Sequence, residues 1–160
     1  MPVLDASSIV KAWDEYPPGI FPKLWTWLGD EVHKKKLRLA EPNLEEVGHV
    51  SPDCHAWLKV SGHEKIDVTA TMLNIALQIK SDLGIQNERY SNKGADERDI
   101  LAIAAAKELG WTLISDEERQ PKVPALRKNY KIPAACLLPT VAVSCMGILD
   151  HIKASGKKFG

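Results

Sequence analysis

A handful of carboxylates stand out in this 160-residue chain because of where they fall. Asp5 follows the apolar run Pro2-Val3-Leu4, and Glu46 lies in Leu44-Glu45-Glu46-Val47. Asp99 opens the apolar stretch Ile100–Ala106. Asp116 and Glu117 come directly after Leu113-Ile114-Ser115. Gathered in one pocket, such groups repel one another unless a cation or protons offset their charge. Their hard oxygen atoms suit Mg²⁺ or Mn²⁺. A metal held in this way lowers the pKa of a bound water and stabilises charge on a phosphodiester under attack. Ser7 and Ser115 could hold the acids, or a metal-bound water, by hydrogen bonds.

The elements around these residues decide whether they can meet. Pro2–Asp5 reads as a short opening strand, and Asp5-Ala6-Ser7-Ser8 starts a helix in which Asp5 can serve as N-cap. Asp96 can cap a later helix, with Asp99 at its third position and Ile103, Ala106 and Leu109 sharing the Asp99 face. Gly110 ends that helix. Trp111–Ile114 is a β-prone run. In a parallel sheet, ligands bind beyond the carboxyl ends of the strands. Asp5 and the Asp116-Glu117 pair follow strands, while Glu46 and Asp99 begin helices. All four stations can converge on one sheet edge, with Asp116 or Glu117 as the fourth.

Between these stations the periodicity is helical. Ile20, Phe21, Leu24, Trp25, Leu28 and Val32 recur at three- and four-residue steps. The run ends in Lys34-Lys35-Lys36, suited to the negative end of a helix dipole. Leu37–Ala40 makes a second strand. Pro42 opens a helix with Leu44, Val47 and Val50 as its buried stripe. Glu46 lies about 40° from Val50 at about 100° per residue, so of the two acids it is the better candidate to face inward, with Glu45 on the solvent side. The other reading is that both decorate the first turn, where the helix dipole favours acids. Ser51-Pro52-Asp53 breaks or re-caps that helix. Asp67 is expected to cap a long helix through Leu83, and Asn87–Ala95 reads as a loop beside the site. After Glu118 comes a basic, proline-marked stretch with Lys122 and Arg127. A last strand is expected around Val141–Val143, then a closing helix over Met146–Ala154. Alternating strands and helices give an α/β class, a three-layer α/β/α sandwich with a mainly parallel central sheet. One domain over residues 1–155 is expected, with a disordered basic tail at 156–160.

Composition excludes several classes. Lys plus Arg equals Asp plus Glu, 21 each, so attraction to a polyanion must come from local patches. No apolar run is long enough for a membrane span. Cys54, Cys136 and Cys145 are far apart with no Cys-x-x-Cys, which fits reduced thiols and a cytoplasmic location. The histidines form no His-Glu-x-x-His, no Gly-x-Ser-x-Gly elbow is present, and the glycines are isolated. Ala6 and Ser7 follow Asp5, which argues against phosphatase or receiver-like domains with paired acids there.

The segments Val3-Leu4-Asp5-Ala6-Ser7-Ser8-Ile9, Asp99–Ala106 and Leu113-Ile114-Ser115-Asp116-Glu117 resemble a PIN domain, closest to PIN-like proteins related to VapC toxins. Ala12-Trp13-Asp14 through Trp25-Thr26-Trp27-Leu28, and Lys131–Cys136, are similar to an uncharacterised bacterial PIN-like subgroup. The resemblance covers nearly the whole chain. It implies a metal-dependent ribonuclease, often the toxin of a toxin–antitoxin pair. The implied partners are an RNA substrate and a cognate antitoxin, with a homodimer as a further option. It places Asp5, Glu46 and Asp99 at the first three acidic positions. At the fourth, Ser115 replaces a common threonine and Glu117 stands where aspartate is usual, with Asp116 beside it. Lys34, Lys35, Lys36, Arg38, Lys122 and Arg127 could grip RNA flanks. The other reading is a module that kept the fold, lost catalysis and binds nucleic acid or protein.

Overall fold

In the sheet, Val3 pairs with Leu113 and Leu4 with Ile114, and on the other side Leu4 stands opposite Leu39. Side chains alternate across a strand. Val3 and Leu113 therefore enter one apolar cluster, while Leu4, Leu39 and Ile114 enter another on the opposite face. The computed structural model describes all residues from Met1 to Gly160. Its strands β1 (Pro2–Leu4), β2 (Arg38–Leu39), β3 (Thr112–Ile114) and β4 (Cys145–Met146) form one parallel sheet in the order β2-β1-β3-β4.

Helices α5 (Ala70–Asp82), α6 (Glu97–Leu109) and α7 (Ile132–Cys136) cover the Val3 face. Helices α1 (Ala6–Glu15), α2 (Pro22–His33), α3 (Glu41–Val50), α4 (Pro52–Val60) and α8 (Ile148–Ala154) cover the Leu4 face. The result is the expected α/β/α sandwich. No helix is long and apolar enough to cross a membrane. Every residue of α6 from Asp99 to Ala106 is buried. A helix apolar all round must sit inside the molecule. Its alanines let α5, β1 and β3 approach closely, so α6 is the beam that fixes Asp99 against the sheet.

Several expectations need correction. Ile20 and Phe21 precede α2 and are exposed, because Pro22 starts the helix after the Pro17–Phe21 turn. Val50 is 64% exposed, so the α3 stripe reduces to Val47, with Leu44 half-buried. The break expected at Ser51-Pro52-Asp53 is present: Ser51 ends α3 and Pro52 starts a separate α4. Thr69, not Asp67, caps α5; its side chain accepts the Met72 N–H at 3.1 Å. Val141 and Val143 are buried but not in a strand, since Ala142 between them turns left-handed (φ 49°). Extended pairing resumes only at Cys145, opposite Leu113. Residues 156–160 form no regular element, and the Phe159 ring lies 5.4 Å from that of Trp27.

The outer strand β2 is not bare. His63 Nε2 accepts the Leu39 N–H at 2.9 Å, and Ile66 exchanges backbone bonds with Leu39 and Glu41. Protonation would turn that acceptor into a second donor. Burial first, then the charges of Arg38 and His55, hold the His63 pKa down at about 4. The unfolded chain therefore binds a proton that the folded chain refuses between about pH 6.5 and 4. Stability from this group is present above that window and is lost as pH falls through it. The loss is about 2 kcal/mol once partial exposure is discounted. Urea titrations of wild type and His63→Gln at pH 7 and pH 4.5 check this. The variant's stability should fall less between the two.

Candidate metal centre

Asp5 is placed by the strand ladder itself. Its N–H donates to Ile114 O at 2.8 Å, one step past the last pair of β1 and β3. It occupies the N-cap position of α1, but its carboxylate does no capping. Ser8 Oγ instead donates to the backbone oxygens of Asp5 (2.7 Å) and Ile114 (3.1 Å). Two hydroxyls converge on Asp5 Oδ2, from Ser7 at 2.5 Å and from Ser115 at 3.2 Å. Each serine also accepts a backbone N–H, Ser7 from Asp116 (3.1 Å) and Ser115 from Glu117 (3.2 Å). The two serines thus tie the ends of β1 and β3 together, and neither hydroxyl bonds Asp5 Oδ1.

Asp99 is oriented by a reciprocal cap. Asp96 Oδ1 accepts the Asp99 N–H, and Asp99 Oδ2 accepts the Asp96 N–H, both at 3.0 Å. This fixes one carboxylate oxygen and frees the other. Glu117 reaches the same place from the loop after β3. One carboxylate oxygen each from Asp5, Asp99 and Glu117 lies within 4.8 Å of the others. Glu46, on α3, lines the same small cavity of about 100 Å³ with Ser7, Val10 and Val50, but stands outside this triad.

The triad carries uncompensated charge. None of its members makes an ion pair with a lysine or arginine. Burial, opposed by the Ser7 bond and reinforced by Glu117, raises the Asp5 pKa to about 6. Burial, then the Asp5 charge, pushes Asp99 to about 9. Burial and the neighbouring Asp5 also raise Glu46. Like charges kept close without a counter-charge are what a divalent cation would relieve. The oxygens not used by the serines or the cap supply hard donors, so the acidic triad can hold a metal ion.

The structure separates the two adjacent candidates after β3. Asp116 is not in the triad. Its Oδ2 accepts the Ile148 N–H at 3.0 Å, at the start of α8, and Lys11 lies 4.0 Å from Oδ1. A methyl group on Gly147 would meet Asp116 Oδ1 at 2.9 Å, so this acid is packed into the α8 entry. Glu117, one residue on, turns to the pocket.

The expected RNA-gripping cations also move. Lys34–Lys36 precede β2, so they sit at the opposite end of the parallel strands from Asp5. Lys35 pairs with Glu64 at 2.5 Å, and Arg38 binds Glu64 and the Glu64 and Lys65 carbonyls. Arg127 rests against the Asp82 carbonyl at the end of α5. Lys122 remains exposed in the loop after the site.

One contributor was missed from sequence. Asn43, fully buried, donates from Nδ2 to Arg98 O at 3.2 Å. It links α3, which carries Glu46, to the first turn of α6, which carries Asp99. Its only sequence signal was a polar residue one helical turn before Glu46.

A search of curated proteins finds no match to this chain. The model of a family described as a domain of unknown function, DUF4411, matches residues 3–159, from the strand before Asp5 to the tail beyond α8. The chain belongs to the DUF4411 family.

Proposed function

We propose that this protein is a metal-dependent endoribonuclease of the PIN type, with Mg²⁺ or Mn²⁺ held by Asp5, Asp99 and Glu117. The observation that supports this most is the triad itself, three carboxylates meeting at the carboxyl edge of a parallel sheet with no cationic partner. A bound divalent cation would supply an activated water and stabilise charge on the phosphate. Ser7 and Ser115 keep Asp5 turned into the pocket, and the Asp96 cap does the same for Asp99. Glu46, which lines the cavity outside the triad, would accept a proton or orient water rather than bind the metal directly. The toxin role, with a cognate antitoxin and a cytoplasmic setting, rests on the VapC-like resemblance.

The test is cleavage of a labelled oligoribonucleotide by the purified chain. Activity should require Mg²⁺ or Mn²⁺, stop in EDTA and return on adding metal. A chain that neither cleaves nor shows carboxylate-dependent Mn²⁺ binding would be the inactive binding module instead.

A further inference from the structure

An acidic metal pocket repels a polyanion unless fixed positive charge stands beside it. Of the cations first expected in that role, Lys35, Arg38 and Arg127 are tied up elsewhere. Arg119 is placed differently. It is exposed, and its Nη1 donates to Ser115 O at 2.7 Å and to Glu117 O at 3.0 Å. Those two bonds use both Nη1 hydrogens and hold the guanidinium against the loop that carries Glu117. They leave Nε–H and Nη2–H, the side-on fork that fits two oxygens of a phosphate. No carboxylate lies within 4.0 Å of it to compete, and the neighbouring Glu118 is drawn off to Lys131 at 3.4 Å. Lys11, one turn beyond Ser7 on α1, has a half-exposed side chain whose only acidic contact is Asp116 at 4.0 Å.

We propose that Arg119, flanked by Lys11, seats the RNA phosphate adjoining the one at the acid pocket, so that the strand leaves the metal on the β4 side of the site. This rests on the nuclease reading above, and it makes Arg119 a phosphate-binding residue. An Asp5→Asn chain should not turn over, so binding of a short fluorescein-labelled oligouridylate can be followed by anisotropy across a salt series. In that background Arg119→Ala and Lys11→Ala should each weaken binding several-fold. Each should also flatten the dependence of log K on log salt by about 0.7, one single-strand phosphate contact. Arg119→Lys should restore the slope but not the full affinity, because an ammonium cannot present a fork. Lys35→Ala should change neither. With Asp5 intact, Mn²⁺ affinity should be unaltered in Arg119→Ala and Lys11→Ala.

An unchanged slope in Arg119→Ala overturns the proposal. So does loss of Mn²⁺ affinity in Arg119→Ala, which would make the arginine a loop prop. Lys11→Ala, which breaks no short contact, gives an independent reading of the slope if Arg119→Ala misfolds; no change there would also overturn it. Mn²⁺ binding that survives Asp5→Asn would sink the metal reading alone, since the slope does not depend on it.

Discussion

Asp99→Asn should lose metal binding and RNA cleavage, yet melt at a higher temperature than wild type when both are held in chelator at pH 8. The two effects share one cause. Folding buries Asp99 beside Asp5 and lifts its pKa to about 9, and lifts that of Asp5 to about 6. For a carboxyl group whose folded pKa exceeds its unfolded value, the folded state binds the extra proton. Its stabilising contribution is complete below about pH 4 and is lost as pH rises through the folded pKa. At pH 8 the metal-free wild type carries most of that loss. Asparagine removes the charge and keeps an oxygen to accept the Asp96 N–H, so the cap survives. The expected gain is about 1–3 kcal/mol, or roughly 3–8 °C in a domain of this size. Asp5→Asn should behave alike, since an amide oxygen still accepts from Ser7 and Ser115. With Mg²⁺ present the order reverses, because only the wild type gains ligand stabilisation. Losing the several kcal/mol by which a bound cation would stabilise the charged transition state implies cleavage slower by at least about a thousandfold. Calorimetry with and without Mg²⁺, beside a cleavage assay, checks all of this. A variant that melts lower in chelator would show that these acids serve the fold rather than a cation.

Gly94→Ala is expected to be among the most damaging single changes outside the acidic pocket. A Cβ on Gly94 would stand 2.0 Å from Lys128 O and 2.9 Å from Asn129 Cα. Both are backbone atoms of the short 3-10 turn Arg127–Asn129, so no side-chain rotation relieves the clash. The two segments are also sewn together by Ala95 N–H to Tyr130 O at 2.9 Å and by Ser91 to Asn129. Parting them should cost about 2–3 kcal/mol, in line with overpacking. Melting should fall by roughly 5–10 °C. Because Ala95 and Asp96 lead directly into α6, Mn²⁺ affinity should fall with it. Thermal melts and Mn²⁺ titration of Gly94→Ala test both parts, and a variant that melts like wild type would show that the turn yields freely.

The α6 segment was readable because its signals are local. Asp96, Asp99 and Gly110 act on backbone groups within one helical turn, so spacing alone located the cap, the inward acid and the stop. The same locality located β1 and β3 to within a residue, and with them Asp5. Where the deciding partner was distant, the sequence had no way to choose. Thr69 and Asp67 are both good caps, and the fold uses the one whose hydroxyl meets Met72 N–H. Lys35 and Arg38 looked free until the chain brought Glu64 back alongside β2.

By itself, then, the order of residues determined the alternation of strands and helices and the placing of Asp5 at a strand end and Asp99 at a helix start, whereas Glu46, expected to begin a helix, falls in the middle of α3. Those features follow from backbone hydrogen bonding and from periodicity, which act over a few residues. Only the tertiary structure decided between Asp116 and Glu117. The N–H that captures Asp116 belongs to Ile148, and the oxygens that Glu117 joins belong to Asp5 and Asp99. A carboxylate takes its direction from whatever donor or charge folding sets beside it, and neither partner is near in sequence.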